Sequence, residues 1–339
     1  MHTRSLSANE RPYLEVINDD GERHLIFGAL GQDGSYLAEQ LSSEGKKVVG
    51  VIRKSSVIPK EYLHENINYI RGDILDPTFV YSLIETFSPT HIYNLASASS
   101  VSESYLHPEL SLKVNFEFVR TLIENIGKYR TDSGREIFLL QASSSEMFGP
   151  DHQSPITESA THDPRSPYAE HKSMAHNFCL KARLESDIKI GTAILFNHES
   201  PRRPLKFVSR KITHGAYLIS KGIENRLVLG NINVERDWGY APDFVNAMIQ
   251  IAHNSSTSDF VIATGQLHTL SEMCQLAFSA IGIENYKDFV VSDSSFYRTN
   301  ENSGLTGDFT KAFSEFAWAP SVSFREMIEL MAKHESNKN

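Results

Sequence analysis

Short apolar runs that alternate with amphipathic stretches constrain the fold of the N-terminal part of the chain. The runs are often β-branched and end at turn residues, which is typical of strands covered on both faces of a sheet. They are His24–Phe27, Val48–Ile52, Ile67–Arg71, His91–Leu95, Ile137–Leu140 and Gly191–Phe196. Helical patterns lie between them at Tyr36–Glu44, Phe79–Thr86, Val114–Tyr129 and Tyr168–Glu185. This alternation predicts an α/β fold built on a doubly wound parallel sheet.

The pattern changes after about Asn197, where short strand-like runs mix with helices. Arg226–Leu229 and Phe260–Thr264 have strand character, and Leu270–Ile281 has helical character. We therefore expect a second, smaller α/β lobe that is interwoven with the first. The predicted boundaries are an N-terminal extension at residues 1–23, a Rossmann domain at 24–196 with a return segment near 231–262, and the second lobe at 197–335.

Composition disfavours several classes of protein and site. The 339 residues include 33 Lys and Arg against 42 Asp and Glu, and this net charge of −9 disfavours nucleic acid and anionic membranes as partners. The two cysteines, Cys179 and Cys274, are too few for a disulfide framework or a cysteine-based zinc site. We find neither a long apolar run nor a secretory leader, so we expect a cytoplasmic protein. His198-Glu199 lacks the second histidine of an HExxH motif, so we expect no catalytic metal.

Three glycines follow the first predicted strand with the spacing GxxGxxG. Gly28 permits a tight turn, Gly31 lets the backbone approach a pyrophosphate, and Gly34 lets the next helix pack closely. Gln32 and Asp33 lie at the start of that helix, whose N-terminus faces the phosphates in dinucleotide-binding folds. Because the loop joins a strand to a helix, we interpret it as a dinucleotide site rather than an ordinary glycine-rich turn.

The end of the second predicted strand indicates which dinucleotide binds. An NAD-binding protein usually presents Asp or Glu there to the ribose 2′-hydroxyl, whereas this chain has Arg53, Lys54 and Ser55–Ser56. Two cations and two hydroxyls suit a 2′-phosphate, so NADP is favoured over the alternative of a solvated basic turn. Asp73 follows the third strand and either accepts a hydrogen bond from the adenine amino group or serves as a turn or N-cap residue.

A YxxxK string supplies a candidate base. Ser166-Pro167 is typical of an N-cap followed by proline, so Tyr168 and Lys172 lie on one face of the helix that follows. Tyrosine ordinarily titrates near pH 10, and a neighbouring ammonium group lowers the pKa of the phenol. The pair can then take a proton from a sugar hydroxyl while hydride leaves the same carbon.

The segment Gln141–Gly149 ends the fifth strand and carries two further candidates. The hydroxyl of Ser144, at the carboxyl end of the strand, can hydrogen-bond the reacting oxygen. Glu146 is unusual, because a simple dehydrogenase or epimerase needs no carboxylate there, whereas elimination of water from C5–C6 of a 4-ketose needs a base for the C5 proton. A carboxylate that complements the dipole at a helix N-terminus explains Glu146 equally well.

These residues resemble those of the GDP-mannose 4,6-dehydratases, a family of the extended short-chain dehydrogenase/reductase superfamily. The most specific match is the string LFNHESPRR at Leu195–Arg203, which is followed by Phe207–Ile212. Other matching segments are Gly28–Leu37, Arg53–Ser56, Gln141–Glu146, Pro164–Tyr168 with Lys172, Leu229–Asn231, Arg236–Gly239 and Phe260–Gly265. The resemblance extends from about His24 to Lys333, nearly the whole chain.

The resemblance implies a role for each catalytic candidate. Ser144, where the family usually has threonine, contacts the sugar O4, and Glu146 is the base at C5 with a part in loss of the C6 hydroxyl. Tyr168 is the base for the C4 hydroxyl. Lys172 supports that tyrosine and binds the nicotinamide ribose.

The resemblance also implies two sets of binding residues. Leu95 and Ala96, where the fourth strand ends, join the NADP site. The residues implied to bind a GDP-hexose are Ser100, Asn197, Arg203, Val208, Lys211, Arg236, Arg298 and Glu301. The cations among them suit a nucleoside diphosphate that enters an acidic chain. The lobe at 197–335 is therefore expected to bind the sugar nucleotide, with the chemistry between the two lobes.

Departures from the family pattern bear on the sugar and on assembly. Ala98 and Ser100 replace a glutamine and a histidine beside the sugar, and Pro204 replaces a glycine, which leaves the hexose open between GDP-mannose and a close relative. The family has a longer segment after Ser56, which reaches a neighbouring subunit's NADP within a tetramer. The shorter segment here favours a homodimer, with a tetramer as the alternative.

We therefore expect an NADP-dependent hydro-lyase that converts a GDP-hexose to a GDP-4-keto-6-deoxyhexose. Two alternatives remain from the residues. One is another sugar-nucleotide reaction, an epimerase or a 4-keto reductase, against which Glu146 argues. The other is a non-catalytic NADP-sensing module, against which the complete set Ser144, Glu146, Tyr168 and Lys172 argues.

Overall fold

The computed structural model of the chain describes residues 21–64, 66–297 and 304–337. Most of the expected N-terminal extension, as well as Arg298 and Glu301, lies outside the described residues. The twelve strands in the described ranges are β1 (Arg23–Phe27), β2 (Lys47–Ile52), β3 (Ile67–Arg71), β4 (His91–Asn94), β5 (Phe138–Ser144), β6 (Ile190–Leu195), β7 (Asn197–Glu199), β8 (Leu227–Leu229), β9 (Glu235–Tyr240), β10 (Asp259–Ile262), β11 (Leu267–Thr269) and β12 (Val290–Ser292). The eleven α-helices there are α1 (Gln32–Ser43), α2 (Pro77–Phe87), α3 (Val101–Leu106), α4 (Pro108–Leu112), α5 (Phe118–Ser133), α6 (Pro167–Ser186), α7 (Val208–Ser220), α8 (Ala241–His253), α9 (Leu270–Ser279), α10 (Thr310–Phe316) and α11 (Phe324–Asn337).

A seven-stranded sheet forms the centre of the fold, in the order β10-β6-β5-β4-β1-β2-β3. The pairs β1–β2, β2–β3, β1–β4 and β4–β5 are parallel. The chain builds outward from β1 to β3 and then returns to place β4 on the other side of β1. This order is that of a doubly wound sheet, so the predicted fold class is confirmed, and the switch point lies between β1 and β4.

Local sequence explains where the elements begin. The Asp76 carboxylate accepts hydrogen bonds from the backbone N–H groups of Thr78 at 3.0 Å and Phe79 at 3.3 Å, so it caps α2, with Pro77 in the first turn. Helix α1 starts at Gln32, earlier than the apolar periodicity predicts. The single helix expected at 114–129 is instead a π-helical turn at Lys113–Glu117 that leads into α5.

Two compact units make up the chain. The first contains the described residues up to Met147, together with His162–Ile194 and Met248–Phe260. Its core lies between the sheet and its covering helices and includes Leu25, Phe27 and Leu122, each at most 1% exposed. None of the helices within residues 21–64, 66–297 and 304–337 combines the length and the apolar character needed to cross a membrane.

The second unit contains Phe148–Thr161, Leu195–Ala247 and the described residues from Val261 onward. It includes a three-stranded sheet in the order β11-β9-β7 and a two-stranded parallel pair of β12 and β8. Helices α7, α9 and α11 enclose a separate core, in which Trp238 stacks on Phe324 with ring centroids 5.8 Å apart.

Candidate active site

Glycine is required at two positions where β1 passes into α1, one in the turn and one in the first turn of the helix. Gly28 has a φ of +84°, and a Cβ there would lie 2.8 Å from the carbonyl carbon of Leu95. A Cβ on Gly34 would lie 2.2 Å from the Gly28 carbonyl oxygen. Gly31 is the N-cap of α1 and offers no side chain to its first N–H groups. A bare turn before an uncapped helix N-terminus fits the pyrophosphate of a dinucleotide.

The basic turn after β2 is held by a residue that sequence reasoning missed. Arg53 and Lys54 are exposed, and the Ser56 N–H donates to the Arg53 carbonyl at 3.0 Å. Arg71, at the end of β3, donates from Nη1 to the Lys54 carbonyl at 3.2 Å. Because β3 pairs with β2, its last residue lies where it can fix this turn. The two cations are thereby presented at the carboxyl ends of the strands.

Asp73 occupies the turn that follows β3. Its Oδ1 accepts a hydrogen bond from the Leu75 N–H at 3.0 Å. That is the local turn role weighed against adenine binding in the sequence, and it engages one of the two carboxylate oxygens.

The end of β4 lies against the glycine turn. The Leu95 N–H donates to the Phe27 carbonyl at 3.0 Å, and the Ala96 N–H donates to Asn94 Oδ1 at 3.3 Å. Asn94 also donates from Nδ2 to Gln141 Oε1 at 2.8 Å, so the ends of β4 and β5 are linked through side chains. The buried side-chain amides of Asn94 and Gln141 thus fix the backbone that follows β4. That backbone can lie close to Gly28 because glycine has no Cβ.

Helix α6 carries the YxxxK pair. The Ser166 hydroxyl accepts from the Ala169 N–H at 3.1 Å and caps the helix, and the Tyr168 N–H donates to Ser104 Oγ at 3.1 Å. Lys172 is 4% exposed, and its Nζ donates to the Ala142 carbonyl in β5 at 2.8 Å. Burial lowers the pKa of Lys172 to about 8.

Ser144 and Glu146 lie two and four residues after Ala142, whose carbonyl Lys172 contacts. Ser144 is the last residue of β5 and is 7% exposed, and its Oγ accepts from the Glu146 N–H at 3.3 Å. Glu146 is half-buried in a short 3₁₀ turn, Ser145–Met147. The structure therefore ties the strand end that carries the hydroxyl and the carboxylate to the helix that carries the phenol and the ammonium.

Ser100, expected beside the sugar, is the N-cap of α3. Its Oγ accepts from the Glu103 N–H at 3.2 Å and lies 3.1 Å from Ser102 Oγ. The S-x-x-E spacing of a capping box marks this role in the sequence. The preceding segment is fixed by Asn115, whose Oδ1 accepts from the Ala98 N–H at 3.1 Å. No periodicity in the sequence marks Asn115.

In the second unit, the expected nucleotide-binding cations contact residues of their own unit. Arg203 lies over the Phe207 ring at 3.7 Å, and its Nε is 3.1 Å from Glu199 Oε2, an ion-pair contact without good hydrogen-bond geometry. Lys211 donates to the Val228 carbonyl at 2.7 Å. Asn197 begins β7, Val208 begins α7, and Arg236 lies in β9.

Sequence reasoning missed the buried charges that support this unit. Asp237 is fully buried and accepts hydrogen bonds from Thr264, Gly265 and Gly307. Arg210 pairs with Glu335 of α11 and also donates to the Pro201 carbonyl. The described residues contain no group of three or more His, Cys, Asp or Glu side chains placed to hold a metal ion.

Comparison with known proteins agrees with the sequence motifs. A model of the GDP-mannose 4,6 dehydratase family matches residues 25–331. GDP-mannose 4,6 dehydratase 1 of Arabidopsis thaliana is 37% identical over 318 residues, which cover 91% of this chain and 88% of the plant protein. The human GDP-mannose 4,6 dehydratase is 34% identical over 334 residues, which cover 91% of this chain and 89% of the human protein.

Solved structures agree on the fold. The UDP-glucose 4-epimerase of Thermus thermophilus, in complex with NAD, has a TM-score of 0.82 at 23% identity and covers 94% of this chain and 100% of its own. The RMD protein of Pseudomonas aeruginosa, complexed with NADPH, has a TM-score of 0.76 at 21% identity and covers 94% and 100%. The family match and the curated relatives show that the chain belongs to the GDP-mannose 4,6-dehydratases, a family of hydro-lyases.

Proposed function

We propose that the protein dehydrates a GDP-hexose, GDP-mannose or a close relative, to the GDP-4-keto-6-deoxyhexose, with NADP as its cofactor. The observation that carries the proposal is the 2.8 Å hydrogen bond from Lys172 Nζ to the Ala142 carbonyl. It joins the helix of Tyr168 to the strand that ends in Ser144, two residues before Glu146. Family membership supports the reaction type.

The glycine turn and the basic turn support the choice of cofactor. Gly28 and Gly34 shape the turn, the Gly31 backbone would lie against the cofactor's pyrophosphate, and Arg53 and Lys54 would bind a 2′-phosphate. Bound NADP would supply the hydride chemistry: hydride would leave C4 and return to C6 while C5 regains a proton, so the cofactor would be regenerated in each turnover. Solved neighbours with NAD and with NADPH support a nicotinamide dinucleotide, and the basic turn supports NADP.

The side chains of the first unit divide the proton transfers among them. Tyr168 takes the proton of the C4 hydroxyl, and Ser144 donates a hydrogen bond to the same oxygen. Lys172, held by the Ala142 carbonyl, orients the cofactor ribose and favours the phenolate of Tyr168. Glu146 then accepts the C5 proton, which the C4 ketone acidifies, and assists departure of the C6 hydroxyl as water.

We assign recognition of the guanosine diphosphate to the second unit. Asn197, Val208 and Lys211 would line the guanosine, and Arg203 and Arg236 would approach the ribose and phosphates. The contact of Arg203 with Glu199 supports this role, because the buried carboxylate orients the guanidinium. The same proposal gives the pyrophosphate to Arg298 and a ribose hydroxyl to Glu301.

The test is incubation of the protein and NADP⁺ with a panel of GDP- and other NDP-hexoses, followed by mass measurement. We expect loss of one water from a GDP-hexose and no net formation or consumption of NADPH. Glu146→Gln should abolish water loss and keep nucleotide binding. The control is Glu170→Gln, which removes an exposed carboxylate from the same helix as Tyr168 and should keep both water loss and nucleotide binding. Full product from Glu146→Gln would refute the role of Glu146, and stoichiometric NADPH oxidation would indicate a reductase instead.

We also propose that the protein is a homodimer. The segment between Ser56 and β3 contacts its own chain, because Tyr69 Oη donates to the Tyr62 carbonyl at 3.0 Å and Arg71 Nη1 donates to the Ser56 carbonyl. A segment fixed in this way is unsuited to reaching a neighbouring subunit. Light scattering should give the mass of two chains, and a tetrameric mass would contradict the proposal.

A further inference from the structure

One face of helix α6 contacts strand β5 at two successive turns. Tyr168, Lys172 and His176 are spaced by four residues and therefore share that face. Lys172 Nζ donates to the carbonyl of Ala142 at 2.8 Å, and Nδ1 of His176 lies 3.1 Å from the hydroxyl of Ser143, the next residue in the strand. Two consecutive strand residues are thus held by two consecutive helical turns, and Ser144 follows immediately.

The other nitrogen of His176 faces a carboxylate. Nε2 is 3.7 Å from Asp259 Oδ2, too far for a hydrogen bond but close enough for the negative charge to favour a proton on Nε2. Asp259 itself accepts from Arg183 Nη2 at 2.6 Å and from the Thr192 hydroxyl. Burial raises the pKa of Asp259, but His176, Thr192 and Arg183 together lower it below its ordinary value, so Asp259 is ionised at neutral pH.

This arrangement selects one tautomer of His176. With the proton on Nε2, Nδ1 is a lone-pair acceptor 3.1 Å from the Ser143 hydroxyl. The thioether of Met147 lies 3.3 Å from the same hydroxyl but is the weaker acceptor, so the Ser143 O–H donates to the ring. His176 is 4% exposed, and burial lowers its pKa to about 4 against the attraction of Asp259, so the ring is neutral at pH 7. His162 packs its ring edge against His176 with centroids 5.1 Å apart and is held by Ser173.

We propose that His176 is a positioning residue for the dehydration: its imidazole, oriented by Asp259, fixes Ser143 and so sets Ser144 and Glu146 in register with Tyr168 and Lys172. The inference rests on the proposed function for its effect on catalysis, but the hydrogen bonds exist independently of substrate. Displacement of a reacting group by about 1 Å costs roughly 100-fold in rate, so a loosened strand end should be visible in turnover.

The tautomer can be measured without substrate or cofactor. In the wild-type protein labelled with ¹⁵N-histidine, NMR at pH 7 should show Nε2 of His176 protonated and Nδ1 as an acceptor. Ser143→Ala should shift the Nδ1 resonance and leave that of Nε2 nearly unchanged. A proton on Nδ1 in the wild type would overturn the proposal, because Ser143 would then have no acceptor on the ring.

Kinetics separate positioning from a merely structural role. His176→Phe should lower kcat by about 10- to 100-fold and leave KM for the GDP-hexose within about twofold. The matched control is His171→Phe, because His171 is also a buried histidine of α6 and lies 2.9 Å from a serine hydroxyl, Ser111 of α4, rather than from β5. The control should lose thermal stability to a similar extent and retain kcat.

Three variants test the hydrogen bond itself. His176→Asn keeps an acceptor near the position of Nδ1 and should recover most of kcat. Ser143→Ala and the double variant Ser143→Ala/His176→Phe should be no slower than His176→Phe alone, because each removes the same interaction. Additive losses, or equal kcat losses in His176→Phe and His171→Phe at equal stability, would overturn the proposal.

Amide exchange gives a readout that does not depend on activity. The N–H groups of Ser144–Glu146 should exchange about tenfold faster in His176→Phe than in His171→Phe. If the wild type dehydrates no GDP-hexose, the proposed function fails, and the exchange rates still decide whether His176 fixes the strand end. Equal exchange in both variants would overturn the proposal.

Discussion

The two compact units bury titratable side chains in different charge states. In the first unit, burial lowers the pKa of His24 to about 3, that of His176 to about 4 and that of Lys172 to about 8. His24 is fully buried, and neither ring nitrogen has a hydrogen-bond partner among the residues that the structure describes. At the two histidines the first unit therefore meets the cost of burial by favouring the neutral form, whereas Lys172 keeps its ammonium form at pH 7 with a lowered pKa.

The second unit buries charges together with their partners. Arg210 and Glu335 are 5% and 4% exposed and form an ion pair, and Glu335 also lies 3.0 Å from His214 Nδ1. Asp237 is fully buried and is surrounded by backbone N–H groups and the Thr264 hydroxyl. In the second unit the desolvation cost of these charges is offset by their partners, so loss of one partner leaves a buried charge uncompensated.

The difference predicts how each unit fails. Acid destabilises a unit that buries a neutral histidine, because the unfolded chain binds a proton that the folded chain does not. A unit that buries an ion pair is instead destabilised by removal of one partner, which leaves the other charge buried alone. In the first unit, the catalytic candidates lie among side chains whose protonation state is set by their burial. The nucleotide-binding candidates of the second unit lie among charges that are already paired.

Removal of one partner from the second unit should give the largest effect. Arg210→Leu leaves the Glu335 carboxylate buried without its guanidinium and should lower the free energy of unfolding by about 3–5 kcal/mol. Both tryptophans of the chain, Trp238 and Trp318, lie buried in the second unit, so their fluorescence in a urea titration reports its unfolding.

The double variant decides whether pairing is the reason. Arg210→Leu/Glu335→Leu removes both charges and should recover most of the lost stability, because similar replacements of buried ion pairs are often nearly neutral. If the double variant is as unstable as the single one, packing rather than charge sets the cost, and the contrast between the units fails at this pair.

Acid should give the next largest effect, and it should act on the first unit. Below pH 6.5 the unfolded chain protonates His24, but the folded chain does not until about pH 3, so stability falls as pH falls between these values. The slope is about 1 kcal/mol per pH unit for one histidine. The charged or titratable groups around His24 are Glu22, Glu44, Lys46, His91, Tyr93 and His253.

His24→Phe isolates this contribution. It keeps an aromatic ring between His91 and Tyr93, on which His24 stacks at 5.0 and 5.9 Å, and it should lose about 2 kcal/mol less than the wild type between pH 6 and pH 4. Exchange of the β1 amides, corrected for its intrinsic pH dependence, measures the loss. His64→Gln, which removes an exposed imidazole, is the control, and equal slopes for wild type and His24→Phe would break the comparison.

The parts of the fold that the sequence predicted are those with local causes. The glycine turn follows from spacing, because the φ of +84° at Gly28 and the clash of a Gly34 Cβ with the Gly28 carbonyl both arise within one turn and the helix that follows it. The Tyr168–Lys172 face follows from helical periodicity. Alternation of apolar runs predicted the sheet, since parallel strands must be covered on both faces.

The remaining features arise from contacts between distant segments. Nothing near Arg210 in sequence indicates that its partner is Glu335 of the last helix, and nothing near His176 indicates Asp259. Ser100 differs, because the capping-box spacing to Glu103 was present in the sequence and predicts the helix cap that the structure has. Ser100, whose difference from the family pattern suggested a change in sugar binding, thus also caps a helix.

Asp237→Asn should have a smaller effect than acid or loss of Arg210. An amide nitrogen in place of Asp237 Oδ2 cannot accept from the N–H groups of Gly265 and Gly307, and leaving these buried donors unpaired is destabilising. An opposing effect reduces the loss: burial raises the pKa of Asp237, so its charge is itself costly at this position. We expect a net loss of about 1 kcal/mol, measured by tryptophan fluorescence in urea. Asp243→Asn is the control, because Asp243 accepts from Ser321 and Val322 in a more exposed position, and a larger loss there would contradict the importance of burial.

The smallest effect should come from an ion pair on the same helix as Glu335. Glu329 and Lys333 of α11 lie four residues apart with Oε2 and Nζ at 3.5 Å; Lys333 is exposed and Glu329 is half-buried. Glu329→Gln should change the free energy of unfolding by less than about 0.5 kcal/mol, because water screens the pair and already solvates each charge. Glu335→Gln, at a buried position of that helix, should cost several times more in the same titration. Equal losses for the two variants would mean that pairing alone, and not the burial of the pair, distinguishes the second unit from the first.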